Sequence, residues 1–232
     1  MSRALIACVS IALLATGSIA RAAEWVAGQQ YTVLKQAQPT SVAPGKVEVM
    51  EVFSYGCPAC NQFQPVMRKL QSSLPPNAQL VYLPASWHAE ENWPLLQRAY
   101  FTAQSLGLAE KSHEAMFDAV WGTGELGVAD PKTGRKKNAL PSIDAIAQFY
   151  QRTTGVKSAD FVAASKSFGV DSRMRQADSQ IIAMQVPSTP SLVVAGKYRI
   201  NNETLSTTNQ FVDLVKFLVA KESTPAAATK KP

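Results

Sequence analysis

Cysteine is scarce in this 232-residue chain: there are three, and once the first 22 residues are set aside only Cys57 and Cys60 remain. One pair with two residues between its members excludes a disulfide-stapled scaffold, because a bridge closing so small a loop stabilises a fold little. Histidine is scarcer still, with His88 and His113 alone. A structural zinc wants four ligands, usually two such pairs or added histidines at ligand spacing, so no metal site is expected. Met67 and Met184 could join thiolates around copper, but both fall at apolar helical positions and read as core. Beyond Ala15 no run is long and apolar enough to cross a membrane. Charge is sparse at 17% of residues; setting aside Arg3 and Arg21 takes the net from +6 to about +4. The one dense basic run, Lys132-Thr133-Gly134-Arg135-Lys136-Lys137, lies between Gly and Pro residues and reads as a solvated loop, not a nucleic-acid patch. There is no internal repeat, no Ser/His/Asp constellation and no phosphate loop.

What is present begins with a leader. An apolar run from Ala4 to Ala15 follows Arg3, and Ala20-Arg21-Ala22 forms an A-x-A site, so a secretory signal cleaved after Ala22 is expected. Leu5-Ile6-Ala7-Cys8 looks like a lipoprotein box, but it precedes most of the apolar run instead of following it. Cys8 then departs with the leader, leaving a soluble chain in an oxidising compartment. Lys46–Phe53 alternates and then turns continuously apolar, as a buried strand does. Ser54-Tyr55-Gly56 makes a turn, and a helix runs from Cys57 toward Leu74 with Phe63, Val66, Met67 and Leu70 as its apolar stripe. Pro65 should kink it. Gln79–Leu83 is a second strand. Helical spacing then dominates 93–106, 110–121, 142–154, 158–167 and 171–184, with breaks at Gly107, Gly155 and Gly169 and a loop at 122–141. Ser191–Ala195 and Lys197–Ile200 read as a hairpin, and Phe211, Leu214, Val215 and Leu218 line a last helix. The expected domains are 1–22 signal, 23–88 and 186–222 as two halves of an α/β core, 89–185 as an all-helical insertion, and 223–232 as a disordered tail.

A C-x-x-C pair at the start of an amphipathic helix points to thiol–disulfide exchange. Two spacer residues put both sulfurs on one turn. Cys57 stands where unpaired backbone N–H groups and the positive end of the helix dipole stabilise a thiolate, the reactive species. Pro58 suits the first helical turn, where its missing N–H costs nothing. Cys60, one turn in, is expected to be more buried and to close or resolve the bond. Stabilising the thiolate stabilises the reduced form and makes the bridge a stronger oxidant.

Glu51-Val52-Phe53-Ser54-Tyr55-Gly56-Cys57-Pro58-Ala59-Cys60-Asn61-Gln62-Phe63 resembles the active-site block of the DsbA family of periplasmic thiol oxidases. Thr189-Pro190-Ser191-Leu192-Val193-Val194-Ala195-Gly196-Lys197-Tyr198 is similar to that family's cis-proline loop and hairpin. The resemblance spans roughly residues 31–221 and implies a thioredoxin fold with an inserted all-helical domain. It implies that Pro190, not Pro187, is the cis-proline facing the sulfurs, and that Thr189 tunes them and contacts substrate backbone. Glu51 matches a buried acid that relays protons to and from Cys60; the alternative is a solvent-facing edge carboxylate, the expectation for Glu48. Tyr55 and Gly56 read as shaping the turn. Ala59 departs from the family, many of whose members have His there, so Cys57 should be less acidic and the disulfide less oxidising.

The function implied is donation of the Cys57–Cys60 disulfide to newly exported unfolded proteins with free cysteines, in the periplasm, by a monomer. Re-oxidation falls to a DsbB-type quinone-linked membrane oxidase, and no organic cofactor or metal is needed beyond the cysteine pair. Two alternatives stand. A reductase or isomerase would need a reduced steady state and often a dimerisation domain, for which the residues between Ala23 and the first strand leave no room. A chaperone-like thioredoxin-fold protein would keep its activity without Cys57, and a metal-binding one would carry stoichiometric metal after purification under reducing conditions. Trp87, His88, Trp93 and Trp121 read as core or interface packing unless they prove exposed around Cys57.

Overall fold

The computed structural model describes residues 25–223. The leader expected at 1–22 and, apart from Ser223, the tail expected at 223–232 lie outside those residues. Five strands form one sheet: β1 (Tyr31–Val33), β2 (Val47–Phe53), β3 (Ala78–Pro84), β4 (Ser191–Val194) and β5 (Tyr198–Ile200), in the order β1-β5-β4-β2-β3. β2 runs parallel to β3 and antiparallel to β4, which pairs antiparallel with β5. The parallel pair requires a crossover, and α1 (Pro58–Ser73) supplies it. Helix α1 runs through Pro65 as one element.

Five helices fill the chain between β3 and β4: α2 (Trp93–Ser105), α3 (Ala109–Phe117), α4 (Ile143–Thr154), α5 (Ser158–Ser165) and α6 (Phe168–Ala183). The last helix, α7 (Thr208–Ser223), returns to the sheet, so Ser223 belongs to it and not to a tail. The topology is a thioredoxin fold with a helical insertion. Among the described residues no helix is long and apolar enough to cross a membrane.

Two apolar clusters divide the interior. One joins Val49, Met67, Leu70, Leu192, Phe211 and Val215 between the sheet and helices α1 and α7. The other joins Met50, Val52 and Phe53 to the insertion through Trp93, Tyr100, Phe117, Tyr150 and Phe161, and it contains both cysteines. The active-site turn therefore belongs to the cluster the insertion builds.

Several expectations change. The three-residue strand β1 carries no readable period and is added by pairing with β5. Gly169 is no break: it lies in the first turn of α6, whose start is set by Ser167 Oγ accepting from Val170 N–H at 3.3 Å. Ala195 leaves β4 for the hairpin turn, where it and Gly196 both have positive φ and Lys197 N–H reaches Val194 O at 2.9 Å, the pattern of a type I′ turn. Glu48 does not face solvent. It is buried, and its Oε2 accepts from Ser41 N–H (2.6 Å) and Ser41 Oγ (2.7 Å). β2 lies between two strands with both faces covered, so its alternation says nothing about which side is wet.

Candidate active site

The turn Ser54–Gly56 ends β2 and hands the chain to α1. Cys57 N–H bonds to Ser54 O at 3.1 Å, and Gly56 N–H to Ser54 Oγ at 3.1 Å. Cys57 is the N-cap of α1: its Sγ accepts from Cys60 N–H at 3.2 Å, and Pro58 takes the first helical position. A sulfur there replaces the oxygen of an ordinary cap, and an anionic sulfur gains more from the bond than a neutral one.

The two thiols, unbridged in this structure, are treated oppositely. Cys57 is held well below the usual thiol range, first by its hydrogen bond with the Cys60 thiol. Thr189 and the N–H groups of Cys60 and Ala59 add to this against the opposing cost of burial. Cys60, fully buried, is pushed up by desolvation, then by its bond to Cys57 and by the neighbouring Cys57 and Glu51 charges. Pro58 and Ala59 are exposed.

Glu51 sits on β2 opposite Tyr82 of β3 and Leu192 of β4. It is buried, neither carboxyl oxygen has a hydrogen-bond partner, and desolvation followed by the Cys57 charge raises its pKa to about 8. A carboxyl in that state is protonated at neutral pH and can give up a proton to a basic neighbour.

Opposite the cysteines, the Thr189–Pro190 peptide bond is cis. Cys57 Sγ lies 3.5 Å from Thr189 O. The loop is pinned by Ser191 Oγ donating to Ser188 O (2.7 Å) and Asn202 Nδ2 donating to Pro190 O (2.9 Å). Nothing in the sequence singles out Asn202, which acts from a short turn after β5.

A cleft of about 300 Å³ opens beside Cys57, walled by Pro58 and Ala59, by Trp87, His88 and Trp93, and by Ser188 and Thr189. Trp93 is buried; Trp87, 40% exposed, stacks on it at 6.4 Å and 25°, and the His88 ring meets its edge at 4.6 Å. Packing describes Trp93, and also Trp121, whose Nε1–H donates to Tyr55 O at 2.8 Å. It does not describe Trp87 and His88, which are open to the cleft. His113 is buried, its Nδ1 3.1 Å from Tyr55 Oη. Among the described residues no three His, Cys, Asp or Glu side chains group as metal ligands.

A thioredoxin fold with an acidic N-cap cysteine, a buried partner one turn on and a cis-proline loop against the first of them defines the class of thiol–disulfide oxidoreductases. No family model matches the chain. It is 32% identical over 215 residues to the thiol:disulfide interchange protein DsbA of Pseudomonas aeruginosa, covering 93% of this chain and 92% of that one. It is 31% identical over 226 residues to the DsbA of Pseudomonas syringae pv. tomato, covering 96% and 98%. A crystal structure of a Pseudomonas aeruginosa DsbA variant superposes with a TM-score of 0.72 at 29% identity, over 86% of this chain and 98% of that one. The oxidoreductase DsbA of Xylella fastidiosa superposes with a TM-score of 0.72 at 28% identity, over 85% and 97%. The chain belongs to the DsbA family.

Proposed function

We propose that this chain is a thiol:disulfide oxidoreductase that donates its Cys57–Cys60 disulfide to newly exported, unfolded proteins. The observation that carries this reading is the opposite treatment of the two sulfurs: one favoured as an anion at a helix N-terminus, the other buried and favoured as a thiol.

A substrate thiolate attacks Cys57 Sγ, the Cys57–Cys60 bond breaks, and Cys60 leaves with the electron pair. Cys60, strongly basic where it is buried, takes up a proton, and the protonated Glu51 carboxyl beneath it is the relay for that proton. A mixed disulfide now joins Cys57 to the substrate. A second substrate thiolate attacks the substrate sulfur, and Cys57 departs as a thiolate, a good leaving group because its pKa is low. Two electrons pass from the substrate dithiol to the cysteine pair, and the substrate gains one disulfide. Thr189 and the cis Pro190 form the loop that meets substrate backbone, and Pro58 and Ala59 form the opposite lip.

The redox couple is the cysteine pair itself, with no organic cofactor or metal in the cycle. A DsbB-type quinone-linked membrane oxidase restores the disulfide. The protein works as a monomer in the periplasm after cleavage near Ala22. Among the described residues, 25–88 and 186–223 make up the catalytic domain, and 89–185 the inserted one.

The test is capture of the intermediate. Cys60→Ser should accumulate covalent adducts with exported proteins that reductant releases, whereas Cys57→Ser should accumulate none. Adducts formed equally by both variants, or by neither, would refute the assignment of Cys57 as the attacked sulfur.

A further inference from the structure

The exchange chemistry uses the cysteines, Glu51 and the cis-proline loop, but not the contacts that tie the turn before Cys57 to the helical insertion. Tyr55 is gripped at both ends. Its carbonyl accepts from Trp121 Nε1–H at 2.8 Å, and its hydroxyl lies 3.1 Å from His113 Nδ1. Both partners are more than fifty residues away in sequence and both belong to the insertion.

His113 is packed among aromatic rings: Tyr82 stacks on it at 4.1 Å, and Phe53 and Phe117 meet it edge-on at 5.0 and 5.3 Å. Burial drives its pKa down to about 3, so the ring is neutral at physiological pH and forms a neutral hydrogen bond with the Tyr55 phenol. Trp121 lies in a widened turn, Asp118–Gly122, that continues α3 with a bond from Thr123 N–H to Asp118 O at 2.9 Å. Such i→i+5 turns are rare and occur often at functional sites. This one carries the indole that reaches the Tyr55 carbonyl.

Tyr55 is the middle of the turn that aims Cys57. Cys57 N–H and Gly56 N–H both bond back to Ser54, and Cys57 Sγ takes the Cys60 N–H at 3.2 Å. That last bond is charge-assisted only when Cys57 is a thiolate, and charge-assisted bonds depend steeply on placement. Fixing the turn therefore favours the reduced form over the disulfide.

We propose that His113 and Trp121 are positioning residues: they clamp Tyr55 so that the turn aims Cys57 Sγ at the N-terminus of α1, and the insertion thereby sets how oxidising the cysteine pair is. The inference rests on the redox reading above and extends it from the sulfurs to the helices that hold them.

Two variants of the full-length chain test it. Trp121→Phe keeps most of the ring and removes the donor to the Tyr55 carbonyl. The double variant Tyr55→Phe with His113→Phe removes both buried polar partners together, leaving neither orphaned. For each, the Cys57 thiolate is titrated by ultraviolet absorbance, the dithiol–disulfide ratio is measured against glutathione, and both redox forms are unfolded in urea. The expected result for each is a Cys57 midpoint higher by about half a pH unit, a roughly threefold shift of the glutathione equilibrium toward the disulfide (~15 mV), and a larger stability loss in the reduced than in the oxidised form. A merely structural role would weaken both forms equally and leave the midpoint and equilibrium unchanged. The clamp is overturned if the variants that fold keep both values within twofold of the parent; either variant alone decides. A parent chain that does not exchange with glutathione would instead refute the redox reading, while the thiolate titration would still decide the clamp.

Discussion

At the scale of single residues, what separates Cys57 from Cys60 is how each sulfur is solvated. Cys57 takes a backbone N–H at the opening of α1, while Cys60 meets no water and stands above an uncharged carboxyl. That carboxyl is costly. Glu51 has a folded pKa of about 8 against an ordinary 4.5, so stability is full below about pH 4.5 and is lost as pH rises toward 8. At about 1.4 kcal/mol per pH unit, the loss at pH 7 is roughly 3 kcal/mol. Glu51→Gln should therefore make the reduced protein more stable than the parent at about pH 7 and no more stable at about pH 4, as read from urea midpoints. Equal midpoints at both pH values would mean that Glu51 is not buried as an acid. Ala59 makes a second prediction. Ala59→His adds a side chain able to stabilise the thiolate, so the variant should be the stronger oxidant against glutathione; an unchanged or weaker one contradicts the expectation. The Cys57–Cys60 pair was legible because its spacing is local; Pro190 and Glu51 were read only through the family resemblance, and the structure makes the Thr189–Pro190 bond cis and buries Glu51. Glu48 was misread because its partner Ser41 comes from a loop, and Asn202 and His113 were silent because their partners lie far away in the chain.

At the scale of elements, the turn between β2 and α1 is the most constrained joint. Gly56 is required there by contact: a Cβ on it would lie 2.6 Å from Trp93 Nε1 and 2.7 Å from Trp93 Cδ1. Trp93 is buried between Trp87, His88 and the turn, with its Nε1–H on Glu91 Oε2 at 3.1 Å, so it has little freedom to retreat. Gly56→Ala should cost about 1–3 kcal/mol by overpacking and alter tryptophan fluorescence. An unchanged urea midpoint would show that the indole yields freely. Helices α1, α2 and α4 were legible within a residue or two because their periods are long and their ends carry recognisable stops. The start of α6 was missed because a capping Ser two residues before Gly169 outweighs the glycine's weak helix propensity, and the first turn has free N–H groups in any case.

At the scale of the whole molecule, two apolar clusters share the sheet, with Tyr82 packed against both, and the cysteines belong to the one that the insertion helps to build. The general layout of a sheet interrupted by helices followed from the change of period along the chain. The cleft beside Cys57 did not, because Trp87 and His88 come from the connection after β3, and only the folded chain brings them against Thr189. The central assignment is net oxidation of exported proteins, and the redox state of Cys57 and Cys60 in living cells tests it most directly. Acid quenching followed by thiol alkylation should find the pair mainly as the disulfide, turning to the dithiol when its re-oxidation is blocked. A pair found mainly as the dithiol in unperturbed cells would contradict net oxidation and point to a reductase or isomerase.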